Sequence, residues 1–290
     1  MYSANFDYYR PATLAEAVAL LGQHQGAKVL AGGHSLLPAM KLRATAPSAI
    51  VDIGRIKGLA GISVAGDMLK IGALTTHDAI AASEVVKARC PILAETAMLI
   101  GDQQVRNRGT IGGSLAHADP ASDFPTVIVA LKATLTATGP DGERKIPAEQ
   151  FFTDLFTTAL GPEEILTSIS VVSYGSKKNI GGAYLKHRHP ASNYSVVGVA
   201  AVLELKNGKC SAADLVIGGA TANPVRVKEA EKILTGQTPD EANLDMAAEK
   251  VNGAITNPLS DFYASGEYRT HLAKVLAKRA LMKAVERARG

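Results

Sequence analysis

The stretch Arg106-Asn-Arg-Gly-Thr-Ile-Gly-Gly-Ser-Leu-Ala-His-Ala-Asp-Pro-Ala-Ser-Asp123 decides how this chain is interpreted. It combines three glycines with small hydroxyl side chains, a histidine and two aspartates. Glycine lets a backbone turn sharply and lets a ligand approach the main chain closely. Successive N–H groups exposed in such a turn form a concave site for an anion. The stretch is therefore predicted to hold a phosphate-bearing ligand through its backbone.

A second stretch of the same character, Ala31-Gly-Gly-His-Ser35, lies upstream. It follows a short apolar strand predicted over 28–30 and precedes a helix predicted over 36–43. The free N–H groups at the start of a helix attract anions. Alone, this segment is equally consistent with a tight strand-to-helix turn. Together, the two glycine segments predict one extended ligand whose diphosphate is held from two sides.

A Rossmann domain is excluded by what these segments lack. Such domains carry a Gly-x-Gly-x-x-Gly motif at the first strand-to-helix turn and an acidic residue after the second strand. The chain contains no Gly-x-Gly-x-x-Gly motif anywhere. The predicted ligand is therefore bound by a different fold.

Composition indicates a globular protein with two domains. The chain has 290 residues, of which 47% are apolar and 20% charged. The net charge is 31 − 27 = +4, and the basic residues are spread along the sequence. A nucleic-acid-binding protein would need a focused basic patch with interleaved aromatic residues, which make up only 5% here. No nucleic-acid partner is expected.

The two cysteines and the apolar runs indicate a cytoplasmic protein. Cys90 and Cys210 lie in no C-x-x-C pattern and are too few for a zinc site or an iron–sulfur cluster. They are expected to be buried free thiols in a reducing compartment. The N-terminus shows no signal peptide. The longest apolar runs, such as 196–203, fall short of the ~20 residues of a membrane-spanning helix.

The order of the predicted elements gives the fold class. A capping box at Thr13-Leu-Ala-Glu16 opens a helix, and a hairpin is expected around Gly66-Asp67. Segment 173–182 is predicted to be a linker. Beyond it, an antiparallel pair (196–205 with 210–218) precedes three helices at 225–234, 240–254 and 267–289. Strands followed by helices are typical of an α+β domain.

Both glycine segments resemble the FAD-binding medium subunit of molybdenum hydroxylases, the family of carbon monoxide dehydrogenase and xanthine dehydrogenase. The resemblance rests on Gly32-Gly33-His34-Ser35 followed by Leu36-Leu37-Pro38, and on 110–113 followed by Ala116-His117-Ala118-Asp119-Pro120. It covers essentially the whole chain. It implies a two-lobed FAD-binding domain of the vanillyl-alcohol-oxidase/PCMH type over 1–175, with lobes at 1–57 and 58–175. A small C-terminal domain with an antiparallel sheet and helices would occupy 183–290.

The resemblance also implies which residues contact FAD. The sequence itself shows no nucleophile arrangement, no poised carboxylate pair and no metal-ligand spacing, so no catalytic residue and no metal ligand is expected in this chain. The expected contacts are Ala31, Gly32, Gly33, His34, Ser35, Leu36, Ile100, Thr110, Ile111, Gly112, Gly113, Ser114, Asp123, Leu166, Lys186 and Tyr194.

Several of these residues allow a second interpretation. Asp123 is expected to accept a hydrogen bond from a ribityl or ribose hydroxyl group. From composition alone, Ile100 and Leu166 are core residues, whereas the resemblance places both beside the flavin. Lys186 is either a cation that stabilises reduced flavin or a surface lysine. Tyr194 corresponds to an aromatic residue that approaches the flavin ring. His34, like His117, is either a loop anchor or a ligand contact.

The predicted function is that of an electron-transfer subunit. A small partner subunit with two [2Fe–2S] clusters would supply electrons to FAD, and a large subunit with a molybdenum cofactor would oxidise the substrate. An external acceptor would then take the electrons, and a dimer of heterotrimers is the expected assembly. One alternative is a free-standing FAD-dependent oxidoreductase of the vanillyl-alcohol-oxidase-like superfamily. Another is a nucleotide-binding module without catalysis.

Overall fold

The computed structural model describes residues 2–290, which fold around three main sheets. The first sheet is parallel, with the order β1-β3-β2. Its strands are β1 (Asp7–Tyr9), β2 (Lys28–Leu30) and β3 (Ala49–Asp52), and its helices are α1 (Leu14–Gln23) and α2 (Leu36–Lys41). Thr13 caps α1 by accepting a hydrogen bond from the N–H of Glu16. The carboxylate of Glu16 binds the N–H of Ala12, one residue earlier than a standard capping box requires.

The second sheet is antiparallel, with the order β4-β5-β10-β6-β7, and the predicted hairpin at Gly66-Asp67 joins β4 to β5. The strands in this part of the chain are β4 (Ile62–Ala65), β5 (Met68–Gly72), β6 (Thr134–Gly139), β7 (Gly142–Pro147), β8 (Phe152–Asp154), β9 (Thr157–Thr158) and β10 (Ile165–Val172). The helices are α3 (His77–Ala82), α4 (Glu84–Arg89), α5 (Pro91–Met98), α6 (Gln103–Arg108), α7 (Ile111–His117), α8 (Asp123–Ala130) and α9 (Ala148–Phe151). Their apolar faces form the largest core cluster.

The third sheet is antiparallel, with the order β11-β12-β13-β14, and helices cover it. Its strands are β11 (Ile180–Arg188), β12 (Ser195–Lys206), β13 (Lys209–Gly218) and β14 (Val225–Arg226). The helices are α10 (Lys228–Leu234), α11 (Glu241–Glu249), α12 (Val251–Ala254) and α13 (Gly266–Arg289). The α+β prediction, with an antiparallel C-terminal sheet followed by helices, is confirmed.

Two predicted segments need correction. The expected linker over 173–182 ends early, because β11 begins at Ile180. A Cβ atom on Gly181 would overlap the carbonyl oxygen of Ala284, so α13 packs directly on this strand. The helix expected over 225–234 begins only at Lys228, since its first two residues pair with β13.

The second and third sheets share one apolar core. Tyr184, Ala200 and Val216 of the third sheet belong to the core cluster of the second. Helix α8 contributes to the same cluster and packs against β12 and β13. The contact is close enough that a Cβ atom on Gly218 would overlap the hydroxyl of Thr126. The third sheet is therefore fixed against the part of the chain that carries both glycine segments.

Candidate functional site

The two glycine segments lie side by side, as a shared ligand requires. A Cβ atom on Gly32 would overlap the carbonyl oxygen of Arg108 and would lie 3.0 Å from the Cα atom of Gly109. The position of a Cβ atom on Gly113 is 3.7 Å from the Cβ atom of Ala31. Glycine at position 32 is needed for this approach, because any side chain would push the segments apart.

The first segment offers a row of unused backbone donors. Within residues 2–290, no protein acceptor is found for the N–H groups of 32–36. Gly33 has φ +77° and turns the chain into α2. The Nδ1 atom of His34 lies 3.0 Å from the carbonyl oxygen of Gly32, so this side chain anchors the loop. Buried or half-buried N–H groups seldom stay unpaired, so the loop is suited to a ligand rich in acceptors.

The second segment differs from the expectation of a free N–H concavity, because most of it is helix α7. The four N–H groups from 111 to 114 already donate to protein oxygens at 2.8–3.1 Å. The acceptors are the carbonyl oxygens of Ala73, Thr75 and Thr110 and the hydroxyl of Thr110. A Cβ atom on Gly112 would meet the Cβ atom and backbone of Ala73. Glycine here therefore allows close packing onto the second sheet, and the unpaired donors are contributed by the first segment.

His77 supports this packing and was missed by the sequence analysis. Its N–H donates to the carbonyl oxygen of Gly109 at 2.9 Å, and its ring lies against the position where a Cβ atom of Gly109 would be. Burial lowers the pKa of His77 to about 4, and the neighbouring His34 and Arg106 add to the effect. The imidazole is therefore neutral near pH 7. The only sequence signal was its place after the helix cap Thr76.

The two arginines of the stretch have different surroundings. The guanidinium of Arg106 donates to the carbonyl oxygen of Ile100 at 3.1 Å and to the side chain of Gln103 at 3.0 Å, which fixes the turn before α6. Arg108 instead lines a cleft of about 360 Å³ next to Gly32 and Gly33. The remaining lining residues are Arg10, Leu30, Ala31, Leu37, Asp52, Gly54 and Arg55.

Asp123, Lys186 and Tyr184 form a buried cluster where α8 meets the third sheet. The Nζ atom of Lys186 lies 2.9 Å from both carboxylate oxygens of Asp123, and the Tyr184 hydroxyl donates to the same carboxylate at 2.7 Å. The side chains of Lys186 and Asp123 are only 3% and 5% exposed. Burial raises the pKa of Asp123, while Lys186 and Tyr184 oppose the rise. Thus Lys186 is not a surface lysine, and Asp123 is already engaged within the protein.

The turn between β11 and β12 brings Tyr194 to the first glycine segment. The phenol of Tyr194 lies near the side chain of Ser35. Partial burial raises the pKa of the Tyr194 phenol, and the carboxylate of Asp119 adds to this. The backbone N–H of Ser195 donates to the carbonyl oxygen of Ala121 at 3.0 Å. The turn is thus bonded to the second glycine segment, and Tyr194 lies near the first, although both are distant from it in sequence.

The two apolar residues expected at the site lie in or beside the core. Leu166 is 5% exposed on β10, where it pairs with Ala137 of β6. Ile100 is partly buried and packs on the same core cluster. Ala73 connects this sheet to the site: its N–H donates to the carbonyl oxygen of Thr167, and its own carbonyl accepts from Gly112. Thr167, the neighbour of Leu166 on β10, is thus linked to α7 through Ala73.

Comparison with known proteins identifies the family. The family described as "FAD binding domain in molybdopterin dehydrogenase" matches residues 4–171, and "CO dehydrogenase flavoprotein C-terminal domain" matches residues 182–284. The chain belongs to the FAD-binding medium subunits of the molybdopterin dehydrogenases. Its two glycine segments are therefore parts of an FAD-binding domain, and its activity is that of an oxidoreductase subunit.

Relatives of this medium subunit match along their full length. The carbon monoxide dehydrogenase medium chain of Afipia carboxidovorans is 39% identical over 290 residues, covering 100% of both chains. The glyceraldehyde dehydrogenase medium chain of Sulfolobus acidocaldarius is 37% identical over 97% of this chain and 98% of its own. A solved carbon monoxide dehydrogenase from Hydrogenophaga pseudoflava superimposes with a TM-score of 0.96 at 38% identity, covering 99% of each chain.

No described helix of the medium subunit is both long and apolar enough to span a bilayer. No group of three or more His, Cys, Asp or Glu side chains among residues 2–290 is arranged to hold a metal ion. Cys90 and Cys210 are both buried free thiols, as expected.

Proposed function

We propose that this chain binds FAD between the first glycine loop and α7 and carries electrons through it within a molybdenum-dependent dehydrogenase. The row of unpaired N–H groups over 32–36, pressed against the second segment at Gly32, carries this proposal. Hydrogen bonds to a charged oxygen contribute roughly 1.5–3 kcal/mol each, so a few converging donors hold a diphosphate firmly.

The residues proposed to hold FAD fall into three groups. In this proposal the N–H groups of the first loop contact the diphosphate, and residues at the start of α7 line the same binding site. Residues of the third sheet line the site opposite α7. In chain order they are Ala31, Gly32, Gly33, His34, Ser35, Leu36, Ile100, Thr110, Ile111, Gly112, Gly113, Ser114, Asp123, Leu166, Lys186 and Tyr194.

When bound, FAD supplies a centre that takes up electrons singly and releases them singly or in pairs. The chain's own residues bind and orient it. Lys186 keeps a buried positive charge in the site, and the Tyr184 hydroxyl keeps its proton because burial raises its pKa. Asp123 offsets the charge of Lys186, so this buried pair carries no uncompensated charge.

We further propose that the electrons come from two [2Fe–2S] clusters of a small partner subunit. A large subunit with a molybdenum cofactor would oxidise the substrate, and an external acceptor would receive the electrons. The relatives support this arrangement, since one is the medium chain of a carbon monoxide dehydrogenase and another that of a glyceraldehyde dehydrogenase. The different substrates named for such similar medium chains support the proposal that another subunit selects the substrate. The proposed assembly is a dimer of heterotrimers in the cytoplasm.

The proposed division of the chain follows the sheets. Lobes 1–57 and 58–175 would form the FAD-binding domain, and the C-terminal domain expected over 183–290 would begin at Ile180 with β11. Apolar residues of both proposed domains, among them Tyr184, Ala200 and Val216, belong to one core cluster.

The test compares FAD binding by the parent chain, Gly32→Ala and Gly253→Ala. A Cβ atom at position 32 overlaps Arg108, whereas position 253 has open space around it. We expect Gly32→Ala to weaken binding by on the order of a hundredfold, because about two charge-assisted hydrogen bonds are lost, and Gly253→Ala to bind as the parent does. FAD binding is measured by titration with flavin fluorescence as the signal. Two preparations are titrated: the isolated chain, and the complex purified through an affinity tag on this chain.

Three results would contradict the proposal. The first is a parent that binds no FAD in either form. The second is a recovered complex without molybdenum and iron on metal analysis. The third is reduction of the flavin in the isolated chain by a small alcohol, which would favour the free-standing oxidoreductase.

A further inference from the structure

Asn193 has a backbone conformation that few residues tolerate. It lies in the turn between β11 and β12 with φ +58°, in the left-handed region. This region costs most L-residues about 1–2 kcal/mol, whereas asparagine adopts it more readily. The turn is closed by two hydrogen bonds, from the N–H of Asn193 to the carbonyl oxygen of His189 (2.9 Å) and from the N–H of His189 to the carbonyl oxygen of Tyr194 (2.8 Å). A strained residue directly before Tyr194 therefore sets the direction in which Tyr194 leaves the turn.

Two further contacts fix Asn193 to the rest of the site. Its carbonyl oxygen accepts a hydrogen bond from the Nζ atom of Lys186 at 2.7 Å, and its side-chain Nδ2 donates to the carbonyl oxygen of Gly101 at 3.3 Å. Lys186 is itself held by Asp123 at the start of α8. The turn is thus tied to the buried ion pair on one side and to the chain before α6 on the other.

We propose that Asn193 is a positioning residue that holds Tyr194 against the first glycine loop, with the Asp123–Lys186 pair as its anchor. Asn193 acts through Tyr194 and makes no contact with FAD itself. The inference rests on the proposed FAD site, because the turn is hydrogen-bonded to Ala121 of the second glycine segment and Tyr194 lies near Ser35 of the first. Lys186 then has a structural role in addition to its charge, because its Nζ atom holds the carbonyl oxygen of Asn193 in place.

The test uses the absence of tryptophan from the sequence. Tyr194→Trp introduces a single fluorescent reporter at the position in question. In this background, Asn193→Ala removes both the left-handed preference and the bond to Gly101, whereas Asn193→Gly keeps the backbone freedom. Asn207→Ala is the matched control, because Asn207 also has positive φ (52°) but lies in the β12–β13 turn. The readouts are acrylamide quenching of Trp fluorescence in the FAD-free chain, and the Kd for FAD.

We expect Asn193→Ala to at least double the quenching constant and to weaken FAD binding about tenfold, in line with the cost of the left-handed conformation. Asn193→Gly should stay within about threefold of the Tyr194→Trp parent in both readouts, and Asn207→Ala should change neither. Equal quenching in Asn193→Ala and Asn207→Ala would overturn the proposal, as would equal losses in Asn193→Ala and Asn193→Gly. If the parent bound no FAD, the proposed function would fail while the quenching comparison would still test the position of residue 194.

Discussion

Replacing Lys186 by methionine tests the ion pair on which the closed site depends. Methionine is similar in length but uncharged, so Asp123 would keep only the hydrogen bond from Tyr184. The two paired side chains are 3% and 5% exposed, so solvent cannot replace the lost partner. Removing one member of a buried pair costs about 3–5 kcal/mol, and we expect a loss of this size near neutral pH.

The loss should depend on pH in a definite direction. Burial already raises the pKa of Asp123, and Lys186 is the main group that opposes this. Without Lys186 the pKa of the carboxyl rises further above its unfolded value. Such a group destabilises the fold when ionised, and the penalty disappears as the pH falls and the folded protein takes up the proton. Lys186→Met should therefore lose more stability at about pH 8 than at about pH 5.

Urea unfolding at both pH values measures this effect. The control is Asp123→Asn/Lys186→Met, which replaces the ion pair by neutral groups and should recover much of the stability without the added pH dependence. Lys87→Met, which removes an exposed pair with Glu84, should change stability little. The reasoning would be refuted if Lys186→Met lost equal stability at both pH values, or if the double variant were no more stable than the single one.

Three other predictions concern parts of the site and its support. The folded pKa of His77 (about 4) lies below its ordinary value. Its contribution to stability is therefore complete above about pH 6.5 and falls by about 3 kcal/mol by pH 4. His77→Phe should remove this pH dependence from urea unfolding curves, and identical pH profiles in variant and parent would contradict the prediction. Arg287→Met should lower the melting temperature by a few degrees, because Arg287 pairs with Glu95 at 2.8 Å and donates to the carbonyl oxygen of Gly182 at 2.6 Å; an unchanged melting temperature would mean that the contact adds nothing. Gly218→Ala should cost about 1–3 kcal/mol by crowding Thr126, whereas Gly253→Ala should not destabilise; equal stability of the two variants would count against close packing of α8.

The sequence predicted the turn at the first glycine segment and the fold class, because both depend on local signals. Glycine and hydroxyl residues mark turns, and alternating apolar residues mark strands wherever they occur. The free N–H groups of 32–36 follow from that local chemistry. The role of the second segment did not follow, because the N–H groups of Ile111 and Gly112 donate to Thr75 and Ala73, which no local pattern brings next to α7.

Contacts across the chain account for the rest of what the sequence missed. Nothing near Tyr184 indicates that its hydroxyl reaches Asp123, and nothing near His77 indicates that its ring packs beneath Gly109. Lys186 had two interpretations from sequence, and burial in the structure excludes the surface lysine. The contacts of Asp123, Lys186 and Tyr194 with FAD stay predictions until binding is measured.

The packing of α8 against the third sheet limits how this chain can be recombined with its relatives. In a chimera joined within 173–179, Thr126 and the Gly218 against which it packs would come from different parent proteins. The chimera would also match a foreign sheet to the residues that surround Tyr184, Ala200 and Val216 in the shared core. Exchange of the C-terminal portion between medium subunits should therefore succeed only when α8 is transferred with it.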